Sequence, residues 1–320
     1  MRTEEGRAPA RSPQERGGAA EGDGRGVLDY HLHLWPHDQR DVEATVEQVV
    51  AYCERAAGAG VVEIALTEHF FRFVQATDLL GRFWEDEPPA ALRAGMAAYW
   101  EHHATADLDT YVEVVEAVKK EGLPVVLGLE VDYYRDRMAD VASLLAGYPF
   151  DVLLGSVHWL GNWRFDVLDE ELTVAEWDVR AIDSVWEEYT LAMEELADSG
   201  ACDVLAHPDL VKVAGRIPAE PGQFYDRIAE AAAATGMAAE LSSAGWRKPV
   251  GEEYPAPGLL RRFVDRGVPL TTASDAHDLP DVADRAAELR ALLARAGVDR
   301  LQGYRRRTPH EVALPAAERS

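Results

Sequence analysis

The sequence predicts a parallel α/β barrel, and two observations carry that prediction. From residue 27 onward, short apolar runs rich in β-branched residues alternate with longer stretches of helical period. Seven such strands, each followed by a crossover helix, require parallel pairing. The number of units and the chain length favour a closed barrel over an open sheet. No G-x-G-x-x-G motif opens a helix after the first strand, so the usual mark of a dinucleotide-binding sheet is missing.

Residues 27–120 are predicted to form the first units of the barrel. A strand, VLDYHLH, is followed by a helix that ends in glycines, and the next strand is VVEIALTEHF. The polar and aromatic stretch from residue 70 to about residue 107 exceeds what a minimal unit needs, so we interpret it as an insertion. A helix then runs to Lys120. The apolar face of the first helix is formed by Val42, Val46, Val49, Val50 and Cys53.

The later units continue the alternation to residue 296. A helix is predicted over residues 279–296, and we interpret the triple arginine Arg305–Arg307 as an exposed helix end. The helix before the fifth strand has one apolar side, formed by Trp186, Tyr189, Met193 and Leu196. The third to seventh strands are LPVVLGLEVDYY, FDVLLGSVHWL, ACDVLAHPDL, GMAAELSSAGW and GVPLTTASDAH.

The composition limits the functions that the chain can have. Acidic residues outnumber basic ones by 57 to 32, and the net charge of −25 repels nucleic acid. The two cysteines form no zinc-type cluster and suggest no disulfide framework, which suits a reducing compartment. No apolar run approaches a membrane span, so we expect a cytoplasmic protein. Residues 1–26 are predicted to be a disordered tail, and residues 27–320 a single barrel domain.

Imidazoles and carboxylates stand at the ends of almost all the predicted strands. In a parallel α/β barrel the carboxyl ends of all strands meet at one face, which carries the active site. Because alternate residues of a strand point to the same side, His31 and His33 can both reach one ion. The strand-end groups are His31, His33, Glu68, His69, Glu130, Asp132, His158, His207, Asp275 and His277.

This set of donors predicts a metal centre. Imidazole and carboxylate ligands suit zinc, manganese or iron, and the pattern contains no cysteine. The ligands exceed the four that one tetrahedral ion takes, so we expect two or three divalent ions that share a carboxylate. Apart from His37, which lies in the loop after the first strand, three histidines fall outside the pattern. We interpret His102 and His103 as surface residues of the insertion, and His310 as a solvated residue near the C-terminus.

Six motifs, taken in order, resemble the polymerase and histidinol phosphatase (PHP) superfamily of metallophosphoesterases. They are HLH, TEH, GLEVDY, GSVHWL, AHPDL and SDAH, and they extend over nearly the whole folded part of the chain. The stretch ELSSAGWRKPVGEEYPAP is also similar to the histidinol-phosphatase branch, in which a Ser-Gly-x-Arg-Lys element precedes a Tyr-Pro pair.

The resemblance implies a distorted (β/α)7 barrel and ligands for three ions. His37 is the candidate for the first-loop ligand of the third ion, although it follows His33 by fewer residues than in the family. The first ion would be held by His31, His33, Glu130 and Asp275. The second would share Glu130 and add His158 and His207. The third would be held by His69, His277 and His37.

The resemblance further implies a metal-dependent phosphate monoester hydrolase, with L-histidinol phosphate as its expected substrate. Glu130, Asp275 and Arg247 would be the catalytic residues. Arg247 is the first candidate for binding the phosphate, because arginine contacts phosphate oxygens bidentately, and Arg164 is the second. Trp159 is a candidate for the pocket wall. A homo-oligomer is left open, and the insertion would either cover the pocket or form a subunit contact.

Three other functions are consistent with parts of the pattern. A PHP enzyme could act on another small phosphate ester or nucleotide, or on a nucleic acid end. An enzyme that acts on nucleic acid would require a basic groove. An H-x-H barrel could also be an amidohydrolase, but no lysine ends a predicted strand to bridge its metals. A non-catalytic metal protein would bind ions without turnover, and the full set of ligands disfavours it.

Overall fold

The structure, a computed structural model, describes residues 26–315, so the tail predicted for residues 1–26 lies outside the described residues apart from Gly26. Seven parallel strands form one sheet in sequence order, which confirms the predicted fold class. Each strand falls within a segment that the sequence predicts. The strands are Val27–Leu32 (β1), Val61–Leu66 (β2), Val125–Asp132 (β3), Val152–Ser156 (β4), Val204–Leu205 (β5), Ala238–Ser242 (β6) and Leu270–Ala273 (β7).

Helices connect the strands, and their apolar faces pack with the sheet into one core. Within residues 26–315, none of them combines the length and the apolar character that a bilayer span requires. The helices of the first half are Val46–Gly58 (α1), Val74–Leu80 (α2), Arg93–His103 (α3), Leu108–Lys120 (α4) and Met138–Leu145 (α5). Those of the second half are Glu171–Val179 (α6), Ile182–Asp198 (α7), Gly222–Thr235 (α8), Pro257–Asp265 (α9) and Ala286–Ala296 (α10).

The first and last strands approach each other at their carboxyl ends. The amide of Asp275 donates a hydrogen bond to the carbonyl of His31 over 2.9 Å, and the amide of His33 donates to the carbonyl of Ala276 over 2.8 Å. The sheet is therefore nearly closed, and the polar residues that end β1 and β7 lie side by side at one rim.

The first helix begins later than the sequence suggested. Thr45 caps α1, because its side chain accepts a hydrogen bond from the amide of Gln48 while the Gln48 side chain accepts one from the amide of Thr45. Val42 is buried, but it precedes the helix, so its predicted place on the helical face is wrong.

The last helix also begins later than the predicted residue 279. A short 3-10 turn, Leu279–Asp281, and a left-handed Arg285 with a φ of 52° precede it. The buried carboxylate of Asp29 accepts a hydrogen bond from the amide of Ala283 over 2.8 Å. This contact fixes the irregular segment against β1, so the segment does not continue the helix.

The triple arginine lies in a β-hairpin, and its interpretation as an exposed helix end is wrong. The strands Arg300–Arg305 (β8) and Thr308–Ala313 (β9) pair antiparallel. Arg306 and Arg307 form the turn, with φ angles of 49° and 59°. Two left-handed residues are the geometry of a tight hairpin, but the usual Asn-Gly signature is absent, so the sequence gives no turn signal here.

This hairpin is fixed to the amino-terminal end of the barrel, opposite the polar rim. The Nε of Arg307 donates to both carboxylate oxygens of Asp203 at 3.1 and 3.0 Å, and its Nη2 donates to the carbonyl of Ala201 at 2.8 Å. The amide of Arg306 donates to the carboxylate of Asp151 over 3.0 Å. Because Asp151 and Asp203 directly precede β4 and β5, the arginines hold the hairpin to these strand starts.

We expect the Arg307→Ala variant to lower the free energy of unfolding by about 2 kcal/mol, the scale of hydrogen bonds to a charged group. The mostly buried carboxylate of Asp203 would lose its guanidinium partner. Urea denaturation followed by circular dichroism measures the change. Arg300→Ala is the matched control in the same hairpin, because the ion pair between Arg300 and Glu311 is exposed and should leave stability nearly unchanged. Equal losses in the two variants would be inconsistent with this role.

The segment 70–107 contains α2, α3 and short turns, and it lies over the loop that follows β4. The side-chain amide of Asn162 in that loop donates to the carbonyl of Trp84 over 3.0 Å. The guanidinium of Arg164 lies 4.5 Å from the ring centroid of Tyr99 in α3. The segment therefore packs on the loop that follows β4 at one side of the rim, and its role as a pocket cover or a subunit contact stays a prediction.

Candidate metal centre

Imidazole and carboxylate side chains meet at the rim because parallel strands end there. His31 and His33 are fully buried, and they alternate with Leu32, so both rings lie on the same side of β1. The remaining strands add their groups at or just beyond their last residues. The side chains brought together are His31, His33, His69, Glu130, His158, His207, Asp275 and His277.

Glu130 lies in the middle of the cluster, and its two carboxylate oxygens face five imidazoles. Its Oε1 lies 3.0 Å from Nε2 of His207 and 3.4 Å from Nε2 of His158. Its Oε2 faces the other three rings, with distances of 2.7 Å to Nδ1 of His69, 3.2 Å to Nε2 of His31 and 3.5 Å to Nε2 of His33. The carboxylate of Glu130 therefore lies between two sets of imidazole nitrogens, which is the position required of a ligand that bridges two ions.

Asp275 and His277 extend the cluster beside β1. The Oδ1 of Asp275 lies 3.6 Å from Nε2 of His33 and 3.6 Å from Nδ1 of His277, and Nε2 of His277 lies 3.4 Å from Nε2 of His69. Asp275 and His207 have φ angles of 52° and 26°. Residues other than glycine seldom adopt this left-handed region, and such backbone strain is concentrated at functional sites.

Four groups of three side chains have potential ligand atoms within 4.8 Å of one another. Because the groups share members, they form one continuous centre with room for more than one ion. The first two groups are His33, His69 and His277, and His31, His33 and Asp275. The other two are His31, Glu130 and His207, and His69, Glu130 and His158.

The electrostatic environment favours the metal-binding forms of several of these side chains, whereas neighbouring carboxylates outweigh burial and raise the pKa of His31 and His158. Burial lowers the pKa of His33 and His277 well below the ordinary value and that of His69 to about 4. Burial alone would raise the pKa of Glu130, but neighbouring imidazoles, those of His31 and His69 foremost, hold it well below its usual range. Neutral imidazoles and an ionised carboxylate are the states that coordinate divalent ions.

Carboxylates behind two of the imidazoles orient their rings. The Nδ1 of His31 lies 2.8 Å from Oε2 of Glu240, and the Nδ1 of His158 lies 2.6 Å from Oδ1 of Asp132. Both contacts leave Nε2 facing Glu130. Asp132 was expected at the rim, but the sequence reasoning missed Glu240. Its signal was a single carboxylate within the apolar strand AAELS.

His37 lies at the edge of the cluster and is exposed. Its ring stacks on that of His277 with centroids 3.6 Å apart, and it lies 5.8 Å from the ring of His69. None of the four groups found among the described residues includes His37. Its role as a ligand remains a prediction.

His103 is buried, so its interpretation as a surface residue is wrong. Its ring packs against Tyr99 and Phe71, with centroids 4.3 and 5.8 Å away, and burial lowers its pKa to about 3. The aromatic residues of the segment 70–107 create this environment by packing on one another. No spacing pattern in the sequence predicts this packing. His102 is partly exposed, and His310 is exposed as expected.

Both candidate phosphate-binding arginines are already engaged by carboxylates. The Nη1 of Arg247 donates to Asp284 over 2.8 Å, and its Nη2 donates to the carbonyl of Asp275 over 3.0 Å. Arg164 is buried and pairs with Glu170. Of the two, Arg247 is the one that contacts a residue of the cluster.

Trp159 directly follows His158 and is buried against the segment 70–107. Its ring centroid lies 6.0 Å from that of Phe71 and 6.3 Å from that of Phe83. It borders a small surface cleft that Tyr134 also lines. Trp159 is therefore next to the cluster, and its role as a wall of the substrate pocket stays a prediction.

Several donor atoms of the cluster are buried without hydrogen bonds. Among the described residues, no such partner is found for Nε2 of His31, either nitrogen of His33, Nδ1 of His69 or Oε2 of Glu130. A buried polar atom left unpaired costs about 1–3 kcal/mol. Coordination of divalent ions would remove that cost, so this set of side chains fits a metal centre.

The comparison with protein families decides the assignment. The family model for the PHP domain matches residues 29–244, which is more than half of the chain. The chain belongs to the PHP superfamily. This match includes every predicted metal ligand except Asp275 and His277 and all of the six motifs except SDAH, and it confirms the resemblance to the superfamily.

A curated relative places the chain within that superfamily. It is the "Probable histidinol-phosphatase" of Deinococcus radiodurans, 37% identical over 268 residues that cover 82% of this chain and 91% of the relative. Identity and coverage at this level confirm the histidinol-phosphatase branch. As a member of this branch of PHP enzymes, the protein is a hydrolase of phosphate monoesters.

A solved structure supports the fold. The crystal structure of histidinol phosphate phosphatase from Lactococcus lactis, in complex with zinc, L-histidinol and phosphate, superposes with a TM-score of 0.64 at 21% identity. The match covers 89% of this chain and 99% of the other. It confirms the predicted barrel architecture.

Proposed function

We propose that the protein is a histidinol-phosphatase, which hydrolyses L-histidinol phosphate to L-histidinol and phosphate with two or three divalent ions. The observation that carries the proposal is the buried Glu130 carboxylate between five imidazoles. Two-metal sites that clamp both sides of a phosphoryl group need such a shared ligand. The curated relative is named for this reaction, and the structural neighbour holds L-histidinol and phosphate, which supports the choice of substrate.

The ligand sets of the proposal are supported to different degrees by the distances. The first set contains one complete close group, formed by His31, His33 and Asp275. In the second, His158 and His207 both face Oε1 of Glu130. For the third, His69 and His277 are adjacent and His37 stacks beside them. Zinc, manganese and iron are each compatible with a mixture of imidazole and carboxylate donors.

The catalytic arrangement follows from what the side chains do. When bound, the ions supply Lewis acidity and a water of lowered pKa as the nucleophile. Glu130 keeps its charge at the centre, because neighbouring imidazoles hold its pKa well below the usual range, and Asp275 adds a second carboxylate. Asp132 and Glu240 each accept the Nδ1 proton of one imidazole, which fixes the tautomer whose Nε2 lone pair faces inward.

Arg247 is the proposed contact for the phosphate oxygens. Its guanidinium donates hydrogen bonds to the carbonyls of Ser274 and Asp275 at the rim. The side chain is 27% exposed, so part of the guanidinium is open to solvent. Arginine also offsets the negative charge that the cluster would present to an anionic substrate. Arg164 is the less favoured candidate, because its guanidinium is buried against Glu170.

A panel of substrates tests the proposal. Protein loaded separately with zinc, manganese or iron(II) is assayed with L-histidinol phosphate, a nucleoside monophosphate, 4-nitrophenyl phosphate and a cyclic amide. We expect kcat/KM to be highest for L-histidinol phosphate and no cleavage of the C–N bond. Preference for the nucleotide would replace the proposed substrate, and cleavage of the amide alone would favour an amidohydrolase.

We expect the Glu240→Gln variant to bind metal about tenfold to a hundredfold more weakly, the usual effect of losing a carboxylate behind a ligating imidazole. Glutamine keeps the shape of the side chain but removes the charge that orients His31. Competition with a chromophoric chelator measures the affinity. Glu252→Gln is the control, because its partner is Lys212 and not a cluster imidazole. Unchanged affinity in Glu240→Gln would rule out this positioning role.

A further inference from the structure

The loop that follows β1 and carries His37 is held by a buried arginine that has no role in the mechanism described so far. Arg72 is 1% exposed and ends the short 3-10 turn Phe70–Arg72, which directly follows His69. Its main chain is fixed on both sides. The amide of Arg72 donates to the carbonyl of His69 over 3.1 Å, and its carbonyl accepts from the amide of Ala106 over 3.0 Å. The guanidinium is therefore placed by the segment that also carries His69.

The guanidinium of Arg72 donates hydrogen bonds to main-chain carbonyls of that loop. Its Nη2 lies 2.6 Å from the carbonyl oxygen of Pro36 and 3.2 Å from that of His37. Its Nη1 lies 3.3 Å from the carbonyl oxygen of Gln39. No carboxylate oxygen of residues 26–315 lies within 4.0 Å of these nitrogens, the limit for an ion pair. Because a buried charge needs polar partners and the loop carbonyls supply them here, the arginine fixes the path of the loop from Pro36 to Gln39.

The start of the same loop is held from the same segment. The buried carboxylate of Glu68 accepts a hydrogen bond from the amide of Leu34. Glu68 and Arg72 lie on either side of His69 in the sequence. One short segment therefore carries one proposed ligand of the third ion, His69, and holds the loop that carries another, His37.

The position of the His37 ring depends on the path of its main chain. In the part of the chain that the structure describes, no side chain or main-chain group forms a hydrogen bond with this ring, and stacking on His277 with centroids 3.6 Å apart is its main contact. The ring nitrogens are therefore available to an ion. A loop that must become ordered when its ligand binds loses conformational entropy at that moment, so a loop that is already fixed binds more tightly.

We propose that Arg72 is a positioning residue of the metal centre, which fixes the loop after β1 so that His37 stands beside His277 and His69 before the third ion binds. This inference rests on the third ligand set of the proposed function and deepens it. Arg72 contacts neither the substrate nor an ion. It acts through the main chain of His37, so its loss should weaken the binding of one ion and leave the sites built on Glu130 intact.

Titration of the metal-free protein with zinc, in competition with a chromophoric chelator, gives the number of ions bound and the affinity of each. We expect Arg72→Lys to weaken the binding of one ion by about tenfold to a hundredfold, the usual effect of losing a group that supports a metal ligand, and to change the others little. Lysine keeps the charge but lacks the planar fork that reaches several carbonyls. Arg137→Lys is the matched control, because Arg137 also donates to main-chain carbonyls, but to those of Leu79 and Leu80 at the end of α2.

A double-mutant cycle with His37 separates positioning from general structural support. His37→Ala should weaken the binding of the same ion, and adding Arg72→Lys to it should cause no further loss, because both changes remove the same ligand. Amide hydrogen exchange of the metal-free proteins provides a readout without any ion. Residues 34–40 should exchange faster in Arg72→Lys than in the unmodified protein, and at the same rate in Arg137→Lys. Thermal unfolding of each variant shows whether the fold is retained.

The inference would be overturned if Arg72→Lys weakened all the ions equally, left residues 34–40 unchanged in hydrogen exchange, or added its full effect to that of His37→Ala. A zinc-bound crystal structure of the unmodified protein tests it without any variant, and a His37 ring that contacts no ion there would also refute it. Phosphate release from L-histidinol phosphate by the unmodified protein tests the proposed function separately. Its absence with three ions bound would refute that function and leave the role of Arg72 intact.

Discussion

The Glu130→Gln variant should release phosphate from L-histidinol phosphate about a thousandfold more slowly than the unmodified protein, a loss of about 4 kcal/mol of transition-state stabilisation. The two oxygens of Glu130 face five imidazoles, and no arginine or lysine lies within ion-pair distance of them in the described part of the chain. Glutamine keeps the shape of the side chain but removes the charge that lies between the two sets of imidazoles.

The measurement is steady-state phosphate release at saturating metal, together with metal content determined by mass spectrometry. Glu63→Gln is the matched control, since Glu63 is also a buried glutamate but lies on β2 near the hairpin and pairs with Arg305. It should lower thermal stability while leaving kcat of the folded enzyme nearly unchanged. Activity of Glu130→Gln within tenfold of the unmodified protein would place the chemistry elsewhere.

Removal of the metal ions should abolish activity and lower the thermal stability of the protein. An ion that binds only the folded state stabilises it by about 4 kcal/mol at a free concentration a thousandfold above its Kd. The effect should be large here, because without ions the nitrogens of His33 and the Oε2 of Glu130 are buried without hydrogen bonds. Differential scanning calorimetry before and after dialysis against a chelator measures the change in Tm.

Adding metal back shows whether the lower Tm results from loss of the ions or from damage by the chelator. Zinc, manganese and iron(II), added singly to the dialysed protein, should each raise Tm, and the ion that restores turnover best identifies the preferred metal. Magnesium is the control, because it favours oxygen ligands over imidazole. If none of the four ions changed Tm, the cluster would be a structural arrangement of side chains that does not bind metal.

The fold and most of the cluster could be predicted because both depend on one regular pattern. Apolar strands alternate with helices, and a residue at the end of a parallel strand is carried to the common rim whatever its distance in sequence. That rule brought His31, His158 and Asp275 together from segments far apart in the chain. The grouping of the ligands into separate ions did not follow, since it depends on side-chain distances of a few ångströms.

The features that the sequence reasoning missed arise from tertiary packing. Glu240 is a single carboxylate in the apolar strand β6, and its contact with His31 depends on the closure of the sheet, which brings β1 next to β7. The burial of His103 comes from aromatic contacts within its own segment. The turn at Arg306 and Arg307 uses residues that rarely form tight hairpins, and carboxylates at the strand starts hold it in place.

Anomalous diffraction from crystals grown with zinc tests the central claim most directly. Data collected on both sides of the zinc absorption edge locate each ion without reference to the protein atoms. We predict at least two peaks, and one pair of them should share the carboxylate of Glu130. This account would be contradicted if crystals grown with excess zinc showed no anomalous density at the rim. The imidazoles of His158 and His207 would then be hydrogen-bonded only to protein and water.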